Sequence, residues 1–186
     1  SIAEVLLSGG DPLSLSTAKL AELTDALRSI PHLKRLRIHT RLPVVLPARV
    51  DAELCAWLES LPWPVVAVIH ANHAQELDQD VGEALTRLSR AGARLYNQAV
   101  LLRGVNDDVD ALANLSEALF GFGVQPYYLH QLDRVAGVAH FEVSHENALA
   151  LMGALRARLP GYLMPNLVQE VSGAASKLPI FDTFSP

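Results

Sequence analysis

The feature that most constrains the fold is an alternation of two apolar patterns along the whole chain. Short runs rich in β-branched residues occur at 3–7 (AEVLL), 33–38 (LKRLRI), 64–69 (PVVAVI), 93–102 (ARLYNQAVLL) and 124–129 (VQPYYL). Between them lie amphipathic stretches at 16–30, 51–61, 79–91, 108–121 and 144–159. Within the second stretch Leu54, Trp57, Leu58 and Leu61 recur at helical spacing, so one side of the helix is apolar. Gly92 and Gly123 stand where a helix ends and the next strand begins, as C-caps do. Strand and helix in alternation, repeating at about 30 residues, predict βα units and a parallel sheet.

The chain has 186 residues, half of them apolar, which suits one domain with a sizeable core, spanning 1–186. Fifteen basic against 20 acidic residues leave a net charge of −5, which argues against a nucleic-acid partner. No apolar run reaches the roughly 20 residues of a membrane span. The single cysteine, Cys55, cannot form an internal disulfide and fits a reducing, cytoplasmic setting. On its helix it reads as a small buried hydrophobe. The chain opens on Ser1 and enters a strand almost at once, so an upstream segment is expected.

Polar residues recur where the strands finish: Ser8-Gly9-Gly10-Asp11, His39-Thr40-Arg41, His70-Ala71-Asn72-His73, Asn97-Gln98 with the following RGVND, and His130-Gln131-Leu132-Asp133. In parallel sheets and barrels that end binds ligands. Five units are too few for an eight-stranded barrel; a partial barrel fits the count. His70, Asn72 and His73 lack a third ligand at metal-binding spacing, so no metal site is expected there.

Six segments together resemble a known family: EVLLSGGDPL (4–13), RLPVVLPARV (41–50), IHANH (69–73), NQAVLLRGVND (97–107), PYYLHQLD (126–133) and GAASK (173–177). Their order and spacing are similar to those of the lysine 2,3-aminomutases, which are radical S-adenosylmethionine enzymes. Within that family the pieces YYLHQLD, GVAHFEVS and Glu170 most resemble the aminomutase that serves β-lysylation of elongation factor P. The resemblance implies an α/β fold, a partial (β/α)6 barrel, joined from its second strand onward. It also implies a [4Fe-4S] cluster held by a CxxxCxxC motif, which this sequence lacks. The cluster loop is therefore expected upstream, and this chain alone is expected to be inactive.

The resemblance also implies roles. Gly9, Gly10 and Asp11 would receive the amino group of S-adenosylmethionine: glycines admit close backbone approach, and a carboxylate binds a cation. Arg41 would take the cofactor's carboxylate, and His70 and Gln98 would lie near its ribose and methionine portions. Lys177 would form a Schiff base with pyridoxal phosphate, because a neutral amine adds to an aldehyde. Its loop is less glycine-rich than in the free-lysine enzymes. Asp133 and Glu170 would hold the distal ammonium of lysine. Glu170 is one methylene longer than the aspartate of catabolic members, and His130 stands where those have a phenol.

The expectation is an isomerase that converts L-lysine to β-lysine by radical and pyridoxal chemistry, linked to elongation factor P and its ligase. Three alternatives are a catabolic aminomutase, an aminomutase for glutamate, and a non-catalytic binding fragment. The two acids disfavour glutamate, whose side chain they would repel.

Overall fold

The computed structural model describes residues 2–133, 137–171, 173–174 and 176–180. Its strands are β1 (Glu4–Leu7), β2 (Arg35–His39), β3 (Val65–Ile69), β4 (Ala93–Leu101), β5 (Val124–Gln131), β6 (Asn166–Gln169) and β7 (Leu178–Pro179). Its helices are α1 (Thr17–Leu27), α2 (Leu42–Val45), α3 (Ala52–Glu59), α4 (Gln79–Arg90), α5 (Val109–Gly121) and α6 (His145–Arg158). The strands keep chain order in the sheet, from β1 to β7. All five expected strands and all five expected helices are present. Short β6 and β7 and the one-turn α2 are additions that the apolar pattern did not indicate.

The helices begin where the sequence provides a cap. Side-chain oxygens of Ser16, Asp51, Asp78, Asp108 and Ser144 each accept a backbone N–H three residues on, at 3.4, 2.8, 2.9, 2.8 and 3.2 Å. Each cap satisfies an N–H that the helix itself leaves open. Gly92 and Gly123 close α4 and α5 at φ +92° and +73°, values that favour glycine.

The chain forms two compact units. The first comprises residues 1–70, 77–96 and 122–124. In it β1 pairs parallel with β2 (Val5 opposite Leu36), and β2 with β3 (Ile38 opposite Ala67). Leu20, Leu36, Ile38, Leu54, Ile69 and Leu85 are buried at 2% exposure or less and form its core. One polar pair sits inside that core: the Trp57 indole N–H donates to Thr24 Oγ1 at 3.1 Å, and the Thr24 hydroxyl meets the Leu20 carbonyl at 2.9 Å. Cys55 is half-buried on α3, and desolvation pushes its thiol above the ordinary value, as befits an unreactive packing residue.

The second unit comprises residues 71–76, 97–121 and 125–186. There β5 pairs parallel with β6 (Leu129 opposite Leu167), and β6 antiparallel with β7 (Gln169 opposite Leu178). Leu101, Leu119, Leu129 and Leu155 are almost wholly buried. Three asparagines stand in for missing strand partners. Asn97 accepts from Ala71 N–H at 2.8 Å and donates to its carbonyl at 3.0 Å. The Asn72 side chain accepts from Val100 N–H at 2.8 Å. Fully buried Asn106 accepts from Leu102 N–H at 2.7 Å and donates to the carbonyls of Asn72 and Val100, both at 2.9 Å. Leaving one such buried group unpaired costs about 1–3 kcal/mol, so these amides fix the backbone on which Gln98 lies. Much of the NQAVLLRGVND signature is thus turn chemistry: Asp107 also accepts from Gly104 N–H, whose residue has φ +74°.

Candidate active site

In the first unit the residues after β1 and β2 are tied together. Gly9 and Gly10 hold φ +85° and +62°, and nothing lies within 4 Å of where their Cβ atoms would stand. The glycines therefore serve a backbone conformation and leave an exposed, open approach. Asp11 Oδ1 accepts from Leu13 N–H at 3.1 Å and from the Thr40 hydroxyl at 2.7 Å. Its Oδ2 accepts from Arg41 N–H at 2.6 Å. Thr40 in turn accepts from Leu42 N–H at 3.1 Å. Asp11 thus shapes both loops through three protein hydrogen bonds, and Thr40, 2% exposed, is a partner that sequence reasoning missed. Arg41 joins this group through its backbone, while its side chain is exposed at the N-terminus of α2. His70, just past β3, meets the His39 ring edge-on at 6.2 Å between centroids.

In the second unit Gln98 lies inside β4, buried at 8% exposure. Glu76 fixes the turn after β3: its Oε1 accepts the N–H groups of Asn72 and His73, at 2.6 and 2.8 Å, and His73 Nδ1 accepts from Gln75 N–H at 3.2 Å. Among the described residues no group of three or more His, Cys, Asp or Glu could hold a metal.

The end of β5 and the segments around β6 and β7 hold the titratable cluster of this unit. Lys177 Nζ donates to Glu170 Oε1 at 2.8 Å and lies 3.2 Å from His130 Nε2. It sits 5.6 Å from the centre of the Tyr128 ring, within reach of a cation–π contact. Tyr128 stacks on Tyr127 at 3.7 Å between centroids and meets His130 edge-on at 5.7 Å. Of the three lysines in the chain, Lys19 and Lys34 are exposed, whereas Lys177 is half-buried. The hydrogen bond and charge of Lys177 hold the Glu170 carboxyl below the usual carboxylate range, with His130 adding to the effect. A carboxyl lowered on folding contributes stability that is complete above its unfolded value and is lost as pH falls through the lowered one. The carboxylate side chain is 56% exposed, so solvent screens that contribution heavily.

Asp133 and Glu170 line one cleft of about 480 Å³, together with Gln131, Glu142, His145 and Gln169. The structure therefore brings the two expected acids together and adds Glu142, which sequence reasoning did not single out. Gln131 is held in place by its amide N–H to the Val143 carbonyl at 3.1 Å and by His145 Nδ1 at 3.2 Å from its Oε1. A cleft lined by three carboxylates favours a cation.

The fold is of the α/β class expected. It matches a domain of a pyruvate-formate lyase-activating enzyme from Bacteroides vulgatus with a TM-score of 0.58 and 14% identity, over 90% of this chain and 98% of that one. No protein-family model matches the chain. Sequence relatives are closer: the L-lysine 2,3-aminomutase of Escherichia coli K12 is 48% identical over 177 residues, 95% of this chain and 52% of that protein. Its counterpart in Haemophilus influenzae is 47% identical over 176 residues, with the same coverage. That of Clostridium subterminale is 38% identical over 183 residues, 98% of this chain and 44% of that protein. The chain is thus similar in sequence to the lysine 2,3-aminomutases, as its motifs led us to expect, and spans about half the length of the relatives it matches.

Proposed function

We propose that this chain is the substrate- and cofactor-binding part of an enzyme that converts L-lysine to β-lysine. The observation that carries the reading is the Lys177–Glu170–His130 cluster beside a cleft that Asp133 and Glu170 share. Lysine joined to a cofactor through its α-amine offers the protein two handles, its carboxylate and its distal ammonium. Asp133 and Glu170 suit the ammonium. Lys177 engages Glu170 Oε1 in the present ion pair, which leaves Oε2 for the ammonium.

Pyridoxal phosphate fits Lys177: a half-buried amine, an adjacent imidazole and a short run of small residues with open space at Gly173. Bound there, it would supply an electron sink that spreads an unpaired electron. Lys177 would hold it, and His130 and Tyr128 would flank the point of attachment. S-adenosylmethionine fits the loop at Gly9 and Gly10, whose backbone is open to close approach. Asp11 shapes that loop, Arg41 would offer a cation to the cofactor's carboxylate, and His70 is the residue proposed for its ribose portion. The radical reading also calls for an iron–sulfur cluster, whose ligands would come from the remainder of the full-length protein.

Within this reading we favour the form that serves elongation factor P over a catabolic one, on YYLHQLD and Glu170. Its partners would be lysine, elongation factor P and the ligase that joins them, in the cytoplasm. Among the described residues no helix is long and apolar enough to cross a membrane. Iron and sulfide analysis of the full-length protein after anaerobic reconstitution tests the radical part. Stoichiometric cluster is expected, and its absence would refute that part.

A further inference from the structure

We propose that His130 is the proton acceptor that converts Lys177 from an ammonium ion into the amine that bonds to a pyridoxal-type aldehyde. The inference rests on the reading of Lys177 as the cofactor-bearing residue. In the structure Lys177 Nζ donates to Glu170 Oε1 at 2.8 Å and lies 5.6 Å from the centre of the Tyr128 ring. A lysine side chain ordinarily carries a proton near neutral pH, yet only the neutral amine has the lone pair that attacks a carbonyl carbon. A proton must leave Nζ first.

Two described groups are within reach to take it. Glu170 is the poorer acceptor, since its carboxyl is already held below the usual range by Lys177 itself. The His130 ring presents Nε2 at 3.2 Å from Nζ, and an ordinary imidazole is more basic than a carboxylate by about two units. In the tautomer with Nε2 unprotonated, His130 accepts the proton along the existing contact. The resulting imidazolium is favoured by the Glu170 charge that the lysine leaves behind. Nζ then bonds to the aldehyde carbon and the carbon–oxygen bond breaks. The oxygen departs as water with the two protons of the neutral amine, and the proton on His130 can return to the nitrogen. The titratable groups facing His130 are Lys177, Glu170 and, from its own strand, Tyr128.

The test is the rate at which the full-length protein captures pyridoxal phosphate, trapped at timed intervals with borohydride and mapped by peptide mass. Label is expected on Lys177. His130→Gln should slow capture by about tenfold or more near neutral pH, with the deficit shrinking as the solution becomes alkaline enough to deprotonate the amine itself. Added imidazole should restore the rate of His130→Ala, a rescue that a packing role would not allow. Wild-type rate and pH profile in His130→Gln, or no rescue of a folded His130→Ala, would overturn the role of His130 while leaving Lys177 in place. Label on Lys19 or Lys34 instead would overturn the lysine assignment, and the inference with it.

Discussion

Lys177→Ala in the full-length protein is expected to abolish both lysine turnover and the visible absorbance of bound pyridoxal phosphate. No other described lysine can substitute, because Lys19 and Lys34 are exposed on the first unit, on α1 and just before β2. The fold should tolerate the change. Lys177 is 27% exposed in its side chain, and its ion partner Glu170 is 56% exposed, so the released carboxylate can be hydrated. Absorbance spectra and turnover measured on the same preparation check this. Retained absorbance and turnover would move the cofactor bond elsewhere.

The second large effect is expected at Asp133. With lysine in the cleft, its ammonium loses water and needs a counter-charge. Truncating one partner of such a desolvated pair costs about 2–5 kcal/mol. Asp133 is exposed before substrate arrives, which places the cost near the lower end. Asp133→Asn should therefore reduce kcat/KM for lysine by roughly 30-fold, since each ~1.4 kcal/mol is tenfold. Binding of S-adenosylmethionine should stay within about twofold, as its proposed loop contacts are other residues. Glu170→Gln should weaken turnover less, because Glu170 divides its charge between Lys177 and the cleft. Steady-state kinetics of both variants, with cofactor binding measured separately, decide the matter. Undiminished turnover by Asp133→Asn would remove the ammonium clamp.

The repeating part of the fold was legible because it follows from periodicity and caps. Alternating apolar runs give β1 to β5, and Ser or Asp ahead of each longer helix marks its start. The four residues of β6 and the two of β7 are too short to carry a period of their own; β6 forms on the edge of β5, and β7 on the edge of β6. The asparagines were legible as polar residues near strand ends but not as backbone substitutes. Which amide meets which peptide group depends on contacts as much as 34 residues apart in sequence, as between Asn106 and Asn72.

The candidate site divides in the same way. Lys177, Asp133 and Glu170 came from motif resemblance, which marks positions without saying what each touches. That Lys177 is held by Glu170 and faces His130, 47 residues away, is a fact of packing. Asp11 shows the converse: its residue type suggested a ligand contact, whereas its three hydrogen bonds show a carboxylate that first builds the loop.

The central claim is the conversion of lysine to β-lysine. Its most direct test is product analysis of L-lysine incubated anaerobically with the reconstituted full-length protein, pyridoxal phosphate, S-adenosylmethionine and a reductant. β-Lysine that forms only when S-adenosylmethionine is present is the predicted result. Lysine recovered unchanged from cluster-loaded protein, or glutamate turned over in its place, would contradict it.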